Sequence, residues 1–149
     1  MPDVKFPTQL VAGVPVVAAP EEIDITNAEE MRSALLKAAA NGQRAIVMDM
    51  TQTKFCDSYG LNTLVAAHRR AEAEGRELLA VIPGSAVLRI FALTGIDRVI
   101  PNFASLADAL AEAARREVQA MPDRKPLAPD GQQVAAGVAA PAASGGLDQ

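Results

Sequence analysis

KFCDSYGLNTL, residues 54–64, is the stretch that decides the fold. An apolar run ending in Phe55 and Cys56 passes through Asp57, Ser58, Tyr59 and Gly60 straight into Leu61 and Leu64 at helical spacing. A pattern that changes from strand-like to helix-like within four residues is a strand-to-helix corner, the connection from which α/β folds are built. Ser58 stands at that corner, where the first backbone N–H groups of a helix have no partner within it. Two uses of a hydroxyl are open there. As an N-cap it would accept one of those N–H groups, an interaction of about 0.5 to 2 kcal/mol. As a phosphate acceptor it would carry about −1.5 to −2 of charge at a helix end whose dipole tolerates an anion.

The segments on either side of this corner alternate in the same way. RAIVMDM (44–50) is short, partly β-branched and bounded by turn residues, as expected of a central strand buried on both faces, and ELLAVI (77–82) repeats that pattern before Pro83 and Gly84 stop it. Between them, Leu61, Leu64, Val65 and Ala71 form the apolar stripe of a helix from Gly60 to Glu74 that Gly75 closes. Upstream, LVAGVPVVAA (10–19) reads as extended, with Gly13 a turn or bulge and Pro15 confining that part to a sheet edge. PEEIDITNAEEM (20–31) reads as a loop and a helix start in which Thr26 or Asn27 caps and Glu29 or Glu30 completes a capping box. Met31, Ala34, Leu35 and Ala38 then give a helix over about residues 27–40 that ends at Asn41 and Gly42.

Downstream, SAVLRIFALTG (85–95) predicts a short helix capped by Ser85, with Val87, Leu88 and Phe91 inward and Gly95 past its end. Asp97 to Ile100 is expected to form a last short strand. Ser105 caps a final helix on Leu106, Ala109, Leu110 and Ala113 that ends near Glu117. From residue 119 to 149 the chain turns to Ala, Pro, Gly and Gln with no sustained period, the composition of a disordered tail. Alternating strands and helices imply an α/β sandwich around a small sheet.

Composition excludes several functions. Half of the 149 residues are hydrophobic, enough for a core, yet aromatics are 3% and tryptophan is absent, so no base-stacking platform is available. A net charge of −4 opposes nucleic-acid binding. One cysteine, Cys56, rules out an internal disulfide and suits a reducing compartment, and one histidine, His68, limits metal chemistry, so no metal or cofactor is expected. No stretch approaches the roughly 20 apolar residues of a membrane span, and no signal pattern opens the chain. Cytoplasmic residence without membrane contact is the expectation.

Catalytic motifs are also missing. No G-x-S-x-G surrounds Ser58, and neither a Walker A pattern nor G-x-G-x-x-G occurs. His68 follows Ser58 by ten residues on one helix, roughly 15 Å at about 1.5 Å per residue, too far for a nucleophile and its base. His68 reads as a core-margin residue with a satisfied ring, and Cys56 as a packing residue. The acids Glu21, Glu22, Asp24, Glu29 and Glu30 lack metal-ligand spacing.

FCDSYGLNTL resembles the phosphorylation-site motif of the STAS domain, the family of bacterial anti-sigma factor antagonists, in which a strand ends in Asp-Ser-x-Gly-Leu or Asp-Ser-x-Gly-Ile before a helix. PEEIDITNAEEM is similar to the family's Glu-Leu-Asp stretch and first helix. LLAVIPGSAVLRIFALTGIDRVIPNFASLADALA is similar to its last strand, Leu-x-x-x-Gly segment and terminal helix. The resemblance implies the STAS fold over residues 9–118, a small mixed β-sheet of about four to five strands with about four α-helices, between an N-terminal extension (1–8) and the tail (119–149).

It further implies a non-enzymatic regulator of sigma-factor-dependent transcription. Ser58 falls on the serine phosphorylated by a GHKL-type anti-sigma factor kinase that brings ATP, and a PPM-type phosphatase resets it. Asp57, beside it, and Asp24, from the Glu-Leu-Asp stretch, border the kinase-facing surface, and Gly60 gives the close turn. Tyr59 departs from the Ser, Thr or Ala of many members, which bears on partner specificity. The implied partner-binding set is Asp24, Asp57, Ser58, Tyr59, Gly60 and Asn62. The alternatives are a non-phosphorylated module of this fold, in a stressosome or a lipid-transport accessory, and a small ligand-binding protein or enzyme.

Overall fold

A computed structural model of the chain describes residues 5–41, 43–84 and 86–119. The expected Ser85 cap, the Gly42 stop and the tail from residue 120 lie outside the described residues.

Among the described residues seven strands form: β1 (Thr8–Val11), β2 (Val14–Ala18), β3 (Glu22–Ile23), β4 (Ala45–Asp49), β5 (Phe55–Cys56), β6 (Glu77–Val81) and β7 (Asn102–Phe103). Five of them make a mixed sheet in the order β1-β2-β4-β6-β7, antiparallel only between β1 and β2, while β3 and β5 pair in parallel as a separate two-stranded ribbon. The α-helices of the described residues are α1 (Ala28–Ala39), α2 (Ser58–Ala73), α3 (Ala86–Thr94) and α4 (Leu106–Gln119).

β4 lies at the centre of the sheet, as its continuous apolar run requires. Ile46 and Met48 point into a core with Met31 and Leu35 of α1, Leu61 and Leu64 of α2, and Phe91 of α3. Ala45 and Val47 point the other way, against Ala109 and Ala113 of α4. The sheet is thus covered by α1, α2 and α3 on one face and by α4 on the other. Phe6, ahead of β1, is buried in the first of these cores.

Pro15 does not mark an edge, because β2 is flanked by β1 and β4 and the edge is β1. Ala18 N–H donates to the Pro7 carbonyl, so alternation puts the Leu10–Pro15 pair among those that exchange no hydrogen bond with β1. On its other side the ladder to β4 starts only at Val16. The missing N–H of Pro15 therefore breaks no bond of either ladder. A two-residue turn joins β1 to β2, with Ala12 and Gly13 both left-handed at φ 54° and 82°.

The strand expected over Asp97 to Ile100 is instead a 3-10 turn, Ile96–Arg98, entered through left-handed Gly95. The strand follows at β7, positioned by Asn102, whose amide donates to the carbonyls of Asp97 and Ile100. Ser105 caps α4 as expected, its hydroxyl accepting from Asp108 N–H at 3.1 Å.

Candidate functional site

The corner quoted above is built on the β3–β5 ribbon, which neither strand's two-residue length makes visible in sequence. Glu22 and Ile23 pair with Phe55 and Cys56, and Asp57 N–H continues the ladder by donating to the Ile23 carbonyl at 3.0 Å. That bond holds Asp57 extended, at φ −80° and ψ 177°, so the helix begins one residue later. Asp57 is therefore the N-cap of α2: its carboxylate accepts from Gly60 N–H at 2.8 Å, and its carbonyl accepts from Leu61 N–H at 2.9 Å. Ser58 does not cap. It is the first helical residue, its side chain is exposed, and its hydroxyl bonds to no other described residue.

Gly60 is required by space. A Cβ there would stand 2.8 Å from Ile23 Cγ2 and 3.0 Å from Cys56 Sγ, closer than real side chains approach. The first turn of α2 is thereby drawn down onto β3 and β5, which brings the ends of both strands beside Ser58. Cys56 is buried beneath this turn, and burial with the adjacent Asp57 charge pushes its thiol up to about 12. It packs and does not react.

Asp24 follows β3 as Asp57 follows β5, one step beyond the Ile23–Cys56 pair. Its carboxylate accepts from Thr26 N–H at 2.9 Å and from the Thr26 hydroxyl at 2.5 Å, and these bonds hold its pKa below the ordinary carboxylate value. The capping box expected at Thr26 or Asn27 does not form: Asn27 is the N-cap position of α1 but its side chain is used elsewhere, and the Thr26 hydroxyl donates to Asp24. The Asn27 side chain accepts from Asp24 N–H and donates to the Glu22 carbonyl, lashing the end of β3 to the start of α1. Tyr59 and Asn62 are exposed on α2. The six residues singled out in sequence thus lie at the β3 and β5 ends and the first turns of α2.

Sequence reasoning named Tyr59 but missed the rest of the apolar rim of this face, Ile25 and Phe55. Ile25, Phe55 and Tyr59 are 63%, 48% and 48% exposed; Ile25 directly follows Asp24, Tyr59 directly follows Ser58, and Phe55 stands two residues before Asp57. Large apolar side chains left in water around a few charges are the composition of a protein-docking surface. Two hollows lie elsewhere, one between α1 and α2 and one between the β1–β2 hairpin and α1, and neither is lined by Asp24 or Asp57.

His68 departs from its reading. It is buried on α2 at 1% exposure, yet neither ring nitrogen has a hydrogen-bond partner among the described residues. Burial lowers its pKa, with the Glu72 carboxylate acting against that shift and Arg69 adding to it.

Among the described residues no helix is long and apolar enough to cross a membrane. The family model described as STAS domain matches residues 5–109. The anti-sigma-F factor antagonist RsfB of Mycobacterium tuberculosis is 31% identical over 98 residues, covering 66% of this chain and 80% of that protein. A crystal structure of an anti-sigma factor antagonist from Mycobacterium paratuberculosis is 30% identical, with a TM-score of 0.67 over 73% of this chain and 92% of that one. The phosphorylated form of the Bacillus cell fate determinant SpoIIAA shares the fold at 18% identity, with a TM-score of 0.56 over 72% of this chain and 97% of its own.

Proposed function

Since the chain belongs to the STAS domain family, we propose that it is an anti-sigma factor antagonist that works by partner switching. Unphosphorylated, it binds an anti-sigma factor of the GHKL serine-kinase type and so frees the sigma factor. The partner brings ATP and phosphorylates Ser58, which ends the complex, and a PPM-type phosphatase restores the free hydroxyl. The chain is substrate and binder in this cycle and supplies no catalytic group.

The observation that carries this reading is the exposure of Ser58 at the first position of α2, with its hydroxyl uncommitted because Asp57 does the capping. A phosphate added there meets the unpaired first-turn N–H groups and the positive end of the helix dipole, so the fold tolerates it. The same phosphate adds negative charge beside Asp57 and within the rim of Ile25, Phe55 and Tyr59, where a docked partner would have to desolvate it. Asp24, held ionised by Thr26, adds to the charge of the face. Phosphorylation is recorded for the Bacillus neighbour, and two mycobacterial relatives are named anti-sigma factor antagonists.

Incubation with the cognate kinase and ATP, followed by phosphosite mapping, tests the acceptor. One phosphate on Ser58, absent in Ser58→Ala, is expected. Labelling of Tyr59, the exposed neighbour, or of Thr53, whose buried hydroxyl is tied to the Pro20 carbonyl, would overturn it.

A further inference from the structure

Buried imidazoles without hydrogen-bond partners are uncommon, because the desolvated nitrogens forfeit their bonds to water. Both nitrogens of His68 are in that position. Around them stand two carboxylates: Glu72, one helical turn on along α2, with Oε1 3.9 Å from His68 Nδ1, and Glu77 at the start of β6. One ligand atom from each of the three residues lies within 4.8 Å of the others.

We propose that His68, Glu72 and Glu77 form a binding site for a divalent transition-metal ion of the Zn²⁺ type, which clasps the C-terminal half of α2 to the first residue of β6. One neutral imidazole and two carboxylates are a donor set that such ions accept, and their charges cancel that of the ion. Burial of the ring disfavours its charged form, and the neutral imidazole is the form that ligates. Zn–N and Zn–O bonds of about 2.0–2.2 Å put tetrahedral donors about 3.4 Å apart, so the three groups need to close by a rotamer-scale movement. Glu72 can make it, since its side chain is 57% exposed. The site is closed on the His68 side and open on the Glu72 side, where water completes the coordination.

Glu77 at present pairs with Arg116 of α4. That pair does not bar the metal, because Arg116 has a second carboxylate partner in Glu112, whose Oε2 lies 2.6 Å from its Nε. Drawing Glu77 to a metal leaves Arg116 paired with Glu112, a carboxylate it shares with Arg115.

Titration calorimetry of the full chain with ZnCl₂ alone, in a non-chelating buffer, tests the proposal. One saturable site is expected, weakened at least about tenfold in Glu72→Gln and in Glu77→Gln. Zn²⁺ should raise the thermal midpoint of the wild type and leave those two variants unmoved. Both substitutions replace side chains that reach solvent, so they keep the test sound where a His68 variant would disturb the buried core. The absence of saturable binding, equal binding by all three proteins, or binding lost in Cys56→Ser and kept in Glu72→Gln would each overturn it.

Discussion

Gly60 N–H reaches back to the carboxylate of Asp57 at 2.8 Å, and this bond is what leaves the hydroxyl of the intervening Ser58 free. The two residues divide tasks that the pattern Asp-Ser could assign either way. Asp57→Ala is expected to destabilise the protein by about 1 kcal/mol, the usual loss of an N-cap, whereas Ser58→Ala stays within about 0.5 kcal/mol of wild type. Urea unfolding of both variants checks it, and a larger loss for Ser58→Ala would make serine the cap.

Gly60→Ala sets two effects against each other. Alanine gains up to about 1 kcal/mol of helix propensity, while a methyl 2.8 Å from Ile23 Cγ2 costs about 1–3 kcal/mol of overpacking. Ile23 is fully buried and β-branched, so it has little room to give. The net expectation is destabilisation, read by urea unfolding, together with weaker anti-sigma factor binding because the α2 turn lifts from β3. A stabilised Gly60→Ala would show that the turn is looser than this.

His68 ties stability to pH in a definite direction. Its folded pKa lies below its ordinary 6.5, so the stability of the buried neutral ring is complete above about pH 6.5 and is lost as pH falls through that value towards the folded pKa. Glu72 softens the loss and Arg69 sharpens it, while Glu77, also near the ring, is paired with Arg116. In metal-free buffer, the urea midpoint should decline as pH falls below about 6.5, and His68→Leu, which removes the titrating group, should flatten that decline. An unchanged slope in His68→Leu would move the effect to other groups.

The apolar rim makes a prediction independent of charge. Exposed aromatic rings on a docking face carry disproportionate binding energy, so Phe55→Ala and Tyr59→Ala are each expected to weaken anti-sigma factor binding by about 1–2 kcal/mol. Stability should change little, since both side chains are half in water. Equal affinity of both variants and wild type would remove the rim from the interface.

The long elements were legible because their patterns reach over whole strands and turns. β4 and β6 carry continuous apolar runs, Ala45 to Met48 and Leu78 to Val81, because both sheet faces are covered, and α2 and α4 repeat every three to four residues because one face meets the core. β3 and β5 were not legible, since two residues carry no period and their pairing joins segments more than 30 residues apart. The identity of the α2 cap depended on that pairing: Asp57 stays extended because Ile23 holds its N–H, a constraint no local pattern carries. Pro15 misled for a related reason, since proline excludes a position from a ladder and the β4 ladder simply starts one residue later. The unpartnered state of His68 likewise belongs to its tertiary surroundings, whereas its place on the helix was plain.

The central claim, that charge at Ser58 breaks a partner interface while leaving the fold intact, is tested most directly by calorimetric binding of the cognate anti-sigma factor to wild type, Ser58→Ala and Ser58→Asp. Ser58→Ala should bind as wild type does. Ser58→Asp should lose at least about tenfold in affinity, with a thermal midpoint close to wild type, as expected of a carboxylate at the start of a helix. Wild-type affinity in Ser58→Asp would contradict the account, as would an equal loss in Ser58→Ala.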